Sequence, residues 1–167
     1  MSATDHALSA NARFALDYDP HEISPRPRLA LAVVTCMDTR LSRRALGLEP
    51  QDAHIIRNAG GIVTDDVIRS LLISHYLLGT SEIMVVNHTD CGLMKATEEA
   101  LREEIGRRAE LPPSANVRFH AFRDVEANVL IQLAKLDAQD WIRSEMVSRG
   151  FVFDVQTARL REVRRRS

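Results

Sequence analysis

The stretch Leu29-Ala-Leu-Ala-Val-Val-Thr35, followed by Cys36-Met-Asp-Thr-Arg40, decides the fold of this chain. A continuous apolar and β-branched run predicts a strand that is covered on both faces, as in a parallel sheet. A second apolar run, Ile83 to Asn87, leads into His88-Thr-Asp-Cys91 in the same way. Because parallel strands end at the same edge of a sheet, we expect the polar residues after both strands to lie side by side.

These two polar segments contain both cysteines of the chain and one histidine. Cys36, His88 and Cys91 offer two thiolates and one imidazole, a donor set typical of zinc. Structural zinc sites are usually closed by four protein ligands, whereas catalytic sites keep one position for water or substrate. Since the chain has no third cysteine to close the site, the spacing predicts a catalytic zinc centre with these three residues as ligands.

Asp38 and Arg40 follow the first cysteine at alternate positions. Side chains that alternate along an extended segment point the same way, so the Asp38 carboxylate is expected near the metal. Two roles are open for Asp38: it accepts a hydrogen bond from zinc-bound hydroxide and aims the oxygen, or it binds zinc directly in a resting form. A planar Arg40 fork paired with Asp38 would lower its pKa and draw it off the metal.

Two thiolates and a neutral imidazole neutralise the formal charge of Zn²⁺. A water molecule at such a site gives up its proton less readily than at a three-histidine site, where the water pKa falls to about 7. Unless hydrogen bonds to the sulfurs compensate for this, we expect an activity that rises with pH.

A glycine-containing loop, Arg57-Asn-Ala-Gly-Gly61, follows a further predicted strand. Glycine permits positive φ and lets backbone N–H groups approach a small ligand closely. We expect Asn58, Ala59 and Gly60 to contact the substrate. Arg57 and Asn58 have two possible roles, as polar walls of a pocket or as staples of the loop.

Strands alternate with helices along the rest of the chain. This alternation predicts an α/β fold: one domain with a mainly parallel central β-sheet, flanked by helices. The helix after Thr64 is apolar nearly all round, which predicts burial between the sheet and a second subunit. Strands are predicted at 29–35, 53–57, 83–87 and 150–156, and helices at 4–16, 41–47, 65–79, 93–109 and 124–136.

The amino-terminal segment is expected to form an arm. An amphipathic helix at 4–16 precedes prolines at 20, 25 and 27, which mark a linker. We therefore divide the single domain, 1–167, into an arm and linker at 1–27 and a zinc-binding core at 28–163. An arm of this kind is expected to pack against a partner subunit.

Composition excludes several classes of partner. The net charge of −1 gives no reason to expect a nucleic acid or an anionic membrane, and the Arg164-Arg-Arg166 tail is expected to be solvated and disordered. No apolar run approaches the ~18 residues of a membrane span. The first 15 residues lack the apolar core of a signal peptide. A cytoplasmic protein is therefore expected.

Other residues are expected to have structural roles. His54 and His75 are predicted to be packed and His120 to be solvated. Asp90 is either a partner of the metal site or a turn residue, and Trp141 is predicted to be buried in packing.

Taken together, these motifs resemble those of the β-class carbonic anhydrases. The segments Cys36-x-Asp-x-Arg40 and His88-x-x-Cys91 resemble the ligand and Asp/Arg motifs of that family. Ile56 to Gly60 is similar to its loop, Thr64 to Leu71 to its next helix, and Arg149 to Val155 to its last core strand. The chain length resembles that of the short prokaryotic branch.

The resemblance implies reversible hydration of carbon dioxide to bicarbonate and a proton, by attack of zinc-bound hydroxide, with one Zn²⁺ per subunit. Asp38 would orient the hydroxide, and Arg40 would hold Asp38. Since the family builds its active sites at dimer interfaces, a dimer or a multiple of dimers is expected. The other partner would be a small-molecule substrate, with no nucleic acid and no membrane.

The chain departs from the family pattern at a few positions. Asn87 stands where glycine often precedes the histidine, and Gly61 where asparagine is common. Thr39 replaces a frequent serine. Val33 stands where some members carry a tryptophan that binds regulatory bicarbonate, so strong bicarbonate inhibition by that route is not expected.

Two other functions are open on these residues. Relatives with the same zinc site hydrolyse carbonyl sulfide or carbon disulfide, and pocket width and apolarity would separate these activities. A zinc-binding structural or regulatory module without turnover is the third possibility. The Asp38/Arg40 pair argues against it, since a structural site needs no poised carboxylate.

Overall fold

The computed structural model describes residues 1–112 and 117–165. Five strands form one sheet in the order β2-β1-β3-β4-β5, with parallel neighbours except for the antiparallel pair β4 and β5. The predicted α/β class with a mainly parallel sheet is confirmed, and β5 is an edge strand that the sequence did not predict. The strands are β1 (Leu31–Cys36), β2 (Ala53–Asn58), β3 (Glu82–His88), β4 (Val147–Asp154) and β5 (Arg159–Val163).

Side-chain caps set the start of most helices. Ser2, Thr64, Thr97 and Asp124 each accept a hydrogen bond from a backbone N–H in the first turn that follows. The predicted N-terminal helix is present. The helices are α1 (Ala3–Phe14), α2 (Asp65–Tyr76), α3 (Glu98–Ala109), α4 (Val125–Asp137) and the short α5 (Asp140–Arg143).

Two helix predictions were too long. The segment 93–109 is split into a 3₁₀ turn, Gly92–Met94, and α3, because Thr97 caps a new helix at this point. Only a 3₁₀ turn, Arg44–Leu46, lies in 41–47, since Gly47 takes a left-handed φ of 75° and ends it. The connection between α3 and α4 and the Arg164–Arg166 tail lie partly outside the described residues.

The face of the sheet beneath α2 and α4 carries the main core. A Cβ on Gly150 of β4 would lie 2.3 Å from Val129 Cγ1, so glycine there lets α4 pack directly on the strand. Each fully buried aliphatic side chain contributes about 1.5–3 kcal/mol by leaving water. The residues of this core include Ala32, Val34, Val67, Leu71, Ile83, Val85, Val129, Leu133, Leu136 and Val152.

The opposite face has a thinner cover. Leu41, Leu46 and Leu48 from the segment after β1 pack on Val33 and Phe153. In the described part of the chain, α1 has no buried residue. This face and the arm therefore leave apolar surface open in a single subunit.

Apolar side chains are also exposed on α2 and α5. Ile73, Tyr76 and Leu77 are exposed near the end of α2, so this helix is buried on one side only within one chain. The prediction that Trp141 is buried in packing is wrong for the single subunit, since it is 67% exposed. Between them, the described ranges 1–112 and 117–165 hold no helix that is both long and apolar enough to cross a membrane.

Two of the histidines outside the ligand motif make hydrogen bonds within the fold. His54 pairs through Nδ1 with Ser74 Oγ at 2.7 Å and through Nε2 with the Pro25 carbonyl at 2.8 Å, which ties the linker to the core. His75 Nδ1 lies 2.5 Å from the backbone oxygen of Thr80.

Candidate metal centre

The ends of β1 and β3 bring the predicted ligands together. Cys36 is the last residue of β1 and His88 the last of β3, and these two strands pair in parallel. Cys91 follows after a turn in which Asp90 takes a positive φ of 56°. The ligand atoms of Cys36, His88 and Cys91 all lie within 4.8 Å of one another, and all three residues are buried. This arrangement can hold one metal ion.

The orientation of His88 fits a metal ligand. Its Nδ1 lies 2.8 Å from the carbonyl oxygen of Thr89, and a carbonyl can only accept, so Nδ1 carries the proton. Nε2 therefore presents a lone pair toward the two sulfurs. This buried nitrogen has no hydrogen-bond partner among the described residues. A buried polar atom left unpaired costs about 1–3 kcal/mol, and a cation at this position would satisfy it.

The pKa values of the two cysteine thiols shift in opposite directions. Both cysteines are free thiols. Hydrogen bonding from the Cys91 thiol lowers the pKa of Cys36, with further help from backbone N–H groups, among them that of Gly60. The same contact raises the pKa of Cys91, and burial adds to that rise. Cys36 is therefore the sulfur that more readily becomes a thiolate, and a bound cation would replace the proton held between the two sulfurs.

The His88 ring responds to the same thiolate. Burial lowers the pKa of His88, but the neighbouring Cys36 thiolate and the Asp38 carboxylate outweigh burial, so the net shift is upward.

Asp38 lies at the edge of the cluster, ion-paired to Arg40. Its Oδ1 accepts from Arg40 N at 2.9 Å and Arg40 Nε at 3.0 Å, and its Oδ2 accepts from Nη2 at 2.8 Å. Oδ2 is 3.9 Å from His88 Nε2. The Arg40 hydrogen bonds hold the pKa of Asp38 well below its usual range, and Asp38 raises the pKa of Arg40. The site therefore holds an ionised carboxylate beside its metal-binding atoms.

Asp90 combines the two roles that the sequence left open. It lies in the turn before Cys91, and its Oδ2 accepts from Arg40 Nη1 at 3.0 Å. Its other oxygen pairs with Lys95 Nζ at 2.7 Å. The Lys95 and Arg40 contacts lower the pKa of Asp90. Arg40 is thus fixed between two carboxylates.

The loop after β2 supports the cluster through its polar groups. Arg57 donates to the carbonyl oxygen of Cys36 at 3.2 Å and also to that of Leu41. Asn58 exchanges two hydrogen bonds with the backbone of Ile62, at 2.7 and 2.8 Å. Both residues therefore staple the loop, which is one of the two roles left open for them.

Two of the expected substrate contacts, Ala59 and Gly60, lie in a 3₁₀ turn, Ala59–Gly61, beside the cluster. Ala59 is exposed, whereas Gly60 is buried. The Gly60 N–H donates to Cys36 Sγ at 3.3 Å. The turn thus reaches the metal site through the backbone of Gly60.

Sequence reasoning missed a set of polar residues on α4. Asn128 and Gln132 are buried on the helix face that packs against the sheet, in line with Lys135. The available signal was two amides four positions apart on an otherwise apolar helix face, where polar side chains require partners.

Comparisons with known proteins agree with this arrangement. The sequence profile of the carbonic anhydrase family matches residues 31–160. β-Carbonic anhydrase 1 of Mycobacterium tuberculosis is 40% identical over 98% of this chain and 99% of its own length. The carbon disulfide hydrolase of Saccharolobus solfataricus is 36% identical, over 81% of this chain and 78% of that enzyme. The crystal structure of carbonic anhydrase from Streptococcus mutans superimposes with a TM-score of 0.89 at 43% identity, covering 98% and 99% of the two chains.

Proposed function

The chain belongs to the β-class carbonic anhydrase family, and from that membership we propose that it catalyses the reversible hydration of carbon dioxide to bicarbonate and a proton. One observation carries the proposal beyond family membership. The buried Cys36, His88 and Cys91 cluster has an ionised carboxylate beside it, with Asp38 Oδ2 3.9 Å from His88 Nε2. A cation-binding site with a poised carboxylate is what the reaction requires.

We propose that Cys36, His88 and Cys91 hold one Zn²⁺ per subunit. Zinc held there supplies Lewis acidity, which makes a water molecule acidic enough to act as a nucleophile near neutral pH. The three residues provide two sulfur donors and one nitrogen donor, with the His88 ring oriented by its bond to the Thr89 carbonyl at 2.8 Å.

Asp38 is proposed as the catalytic carboxylate. Its Oδ1 is taken by two Arg40 donors, whereas Oδ2 takes one and lies closer to the cluster. Oδ2 can therefore accept a hydrogen bond from the attacking oxygen and aim a lone pair of that oxygen at the carbon. Arg40 keeps Asp38 ionised and hydrogen-bonds to both of its oxygens, which favours the hydrogen-bonding role over direct ligation of a metal.

The second candidate is hydrolysis of carbonyl sulfide or carbon disulfide at the same site. It is favoured by the 36% identity to the carbon disulfide hydrolase of Saccharolobus solfataricus. These substrates are also linear and electrophilic at carbon, but sulfur is larger and less polar than oxygen. A non-catalytic zinc module is the weakest candidate, because it would have no use for the Asp38–Arg40 pair.

We also propose that the chain works as a homodimer or a multiple of dimers. Exposed apolar side chains on α1 (Leu8, Phe14), on α2 (Ile73, Tyr76) and directly after it (Leu77) support this proposal. The cytoplasm is the proposed location, since a reducing compartment keeps Cys36 and Cys91 available as metal ligands.

The proposed function is tested with protein of measured zinc content. Stopped-flow hydration of carbon dioxide is recorded beside sulfide release from carbonyl sulfide and carbon disulfide. Fast hydration with little sulfide release supports the anhydrase, and the reverse result supports the second candidate.

Matched variants separate the site from the fold. Cys36→Ser should lose zinc and activity together, whereas Met37→Leu, at an exposed neighbour, should keep both. Hydration that survives in zinc-free Cys36→Ser would contradict the proposal.

A further inference from the structure

A line of buried amide side chains connects α4 to the loop beside Cys36. Asn87, Asn128 and Gln132 are each no more than 4% exposed. Gln132 Nε2 donates to Asn128 Oδ1 at 2.8 Å, and Asn128 Nδ2 donates to Asn87 Oδ1 at 2.8 Å. Asn87 Nδ2 then donates to the carbonyl oxygens of Gly60 and Gly61, at 2.9 and 3.3 Å. We call these three side chains the amide chain.

The far end of the amide chain fixes its direction. Lys135 Nζ and the backbone N–H of Val63 both donate to Gln132 Oε1, at 3.0 and 2.9 Å. An ammonium and a backbone N–H have no acceptor, so the oxygen of Gln132 must face them. Each amide that follows then has one orientation that satisfies its neighbours. As a result, Asn87 must present its N–H groups, and not its oxygen, to the loop.

The near end of the amide chain packs against the loop. A Cβ on Gly61 would lie 2.9 Å from Asn87 Nδ2, so the Asn87 amide occupies the space that a side chain at Gly61 would need. Gly60 is held by its carbonyl on Asn87, while its N–H donates to Cys36 Sγ at 3.3 Å. Gly60 is thus hydrogen-bonded to the amide chain through its carbonyl and to the sulfur of Cys36 through its N–H.

We propose that Asn87, Asn128 and Gln132 are positioning residues that hold the Gly60 N–H on the sulfur of Cys36. A thiolate that accepts this hydrogen bond donates less charge to a bound metal, which leaves the metal a stronger Lewis acid. The inference rests on the proposed function only for its effect on rate. The hydrogen bond and its control by Gln132 are properties of the chain itself.

Gln132→Glu tests the direction of the hydrogen bonds in the amide chain, because the two side chains have almost the same shape. A carboxylate still accepts from Lys135 and Val63 but cannot donate to Asn128. The side-chain amides of Asn128 and Asn87 must then flip. The Asn87 oxygen would face the carbonyl oxygens of Gly60 and Gly61, and their mutual repulsion would displace the loop. The new charge pairs with Lys135, so the substitution does not leave an isolated buried ion.

The measurements are made on the full chain with Co²⁺ in place of zinc, and on the metal-free protein. In Gln132→Glu, the sulfur-to-cobalt charge-transfer band should move to lower energy, because the Cys36 sulfur loses its donor. Hydrogen exchange of the Gly60 amide in metal-free protein should become about tenfold faster. The exposed control Gln156→Glu should leave both readouts at their wild-type values.

Two results would overturn the proposal. One is a folded Gln132→Glu protein whose cobalt band and Gly60 exchange match the wild type. The other is available without any variant: NMR of the wild-type protein should show the Asn87 amide protons close to Gly61 and protected from exchange, and protons directed at Asn128 instead would refute the assigned direction. If wild-type protein lacks hydration activity while the cobalt band shifts as expected, the proposed function fails and this inference stands.

Discussion

The two sides of the metal-binding cluster differ in charge and in exposure to solvent. On one side lie the ionised groups Asp38, Arg40 and Asp90, whose side chains are 22%, 42% and 48% exposed. On the other side lies the neutral, buried amide chain that starts at Asn87. Charges are inexpensive to keep where water can reach them, whereas burying them is costly. Neutral amides that satisfy one another can hold a buried loop at much lower cost.

We infer that the two sides have different roles. The charged side is partly open to solvent and can accept hydrogen bonds from a bound molecule. The amide side is closed to solvent and fixes the geometry of Cys36 through Gly60. Variants on the charged side should therefore change rate more than stability, and variants on the amide side should change stability as well.

The largest expected effect comes from Asp38→Ala on the charged side. Loss of the carboxylate that we propose aims the attacking oxygen should lower kcat/KM for carbon dioxide hydration by about 100-fold, with zinc content and melting temperature nearly unchanged. Asp66→Ala is the control, since Asp66 also pairs with an arginine: its Oδ1 accepts from Arg69 on α2 at 2.8 and 3.0 Å. It should stay within twofold of wild type. Equal losses of kcat/KM in both variants would show that Asp38 has no special role in the reaction.

A smaller effect is expected from Gly61→Ala on the amide side. Gly61 and Gly79 both have positive φ, 62° and 79°, so alanine is strained at either position. Only at Gly61 would the new Cβ also meet the backbone of Thr35, at 2.9 Å, and Asn87. Gly61→Ala should lower the free energy of unfolding by about 3 kcal/mol, and Gly79→Ala by about 1 kcal/mol.

Urea unfolding of both glycine variants checks this difference. Equal destabilisation would mean that only the shared backbone strain matters, and that the close packing of Asn87 on Gly61 contributes nothing.

The smallest effect is expected in acid. The pKa of Asp38 is lowered in the folded protein by Arg40, so the pair contributes stability above the ordinary value of 3.8 and loses it as the pH falls below that value. As the pH is lowered from about 5 to about 2.5, the melting temperature should fall less steeply in Asp38→Asn than in wild type. Asp140→Asn, at an 83% exposed carboxylate, serves as the control and should follow the wild-type curve.

The charged side could be predicted from sequence because its residues are close along the chain. Cys36, Asp38 and Arg40 lie at alternate positions after one strand, and His88 and Cys91 follow another, so strand order alone brings them to one edge. The paired oxygens of Asp38 also follow from the fork of a nearby arginine. This local spacing is what the resemblance to the family rests on.

The amide side could not be predicted in this way. Asn87 and Asn128 meet only because α4 packs against β3, and that contact depends on crossover geometry. The bare Gly150 surface that lets α4 approach is likewise visible only in the fold. The antiparallel strand β5 was missed for a similar reason, because its short sequence is charged and has no apolar alternation strong enough to predict a strand.

The central claim is tested most directly by the pH–rate profile of carbon dioxide hydration, measured by stopped flow on wild-type protein with a known zinc content. The donor set of two sulfurs and one imidazole predicts fast hydration that rises from about pH 6.5 to pH 9. No hydration above the uncatalysed rate at full zinc occupancy, or a profile that is flat across this range, would contradict the account.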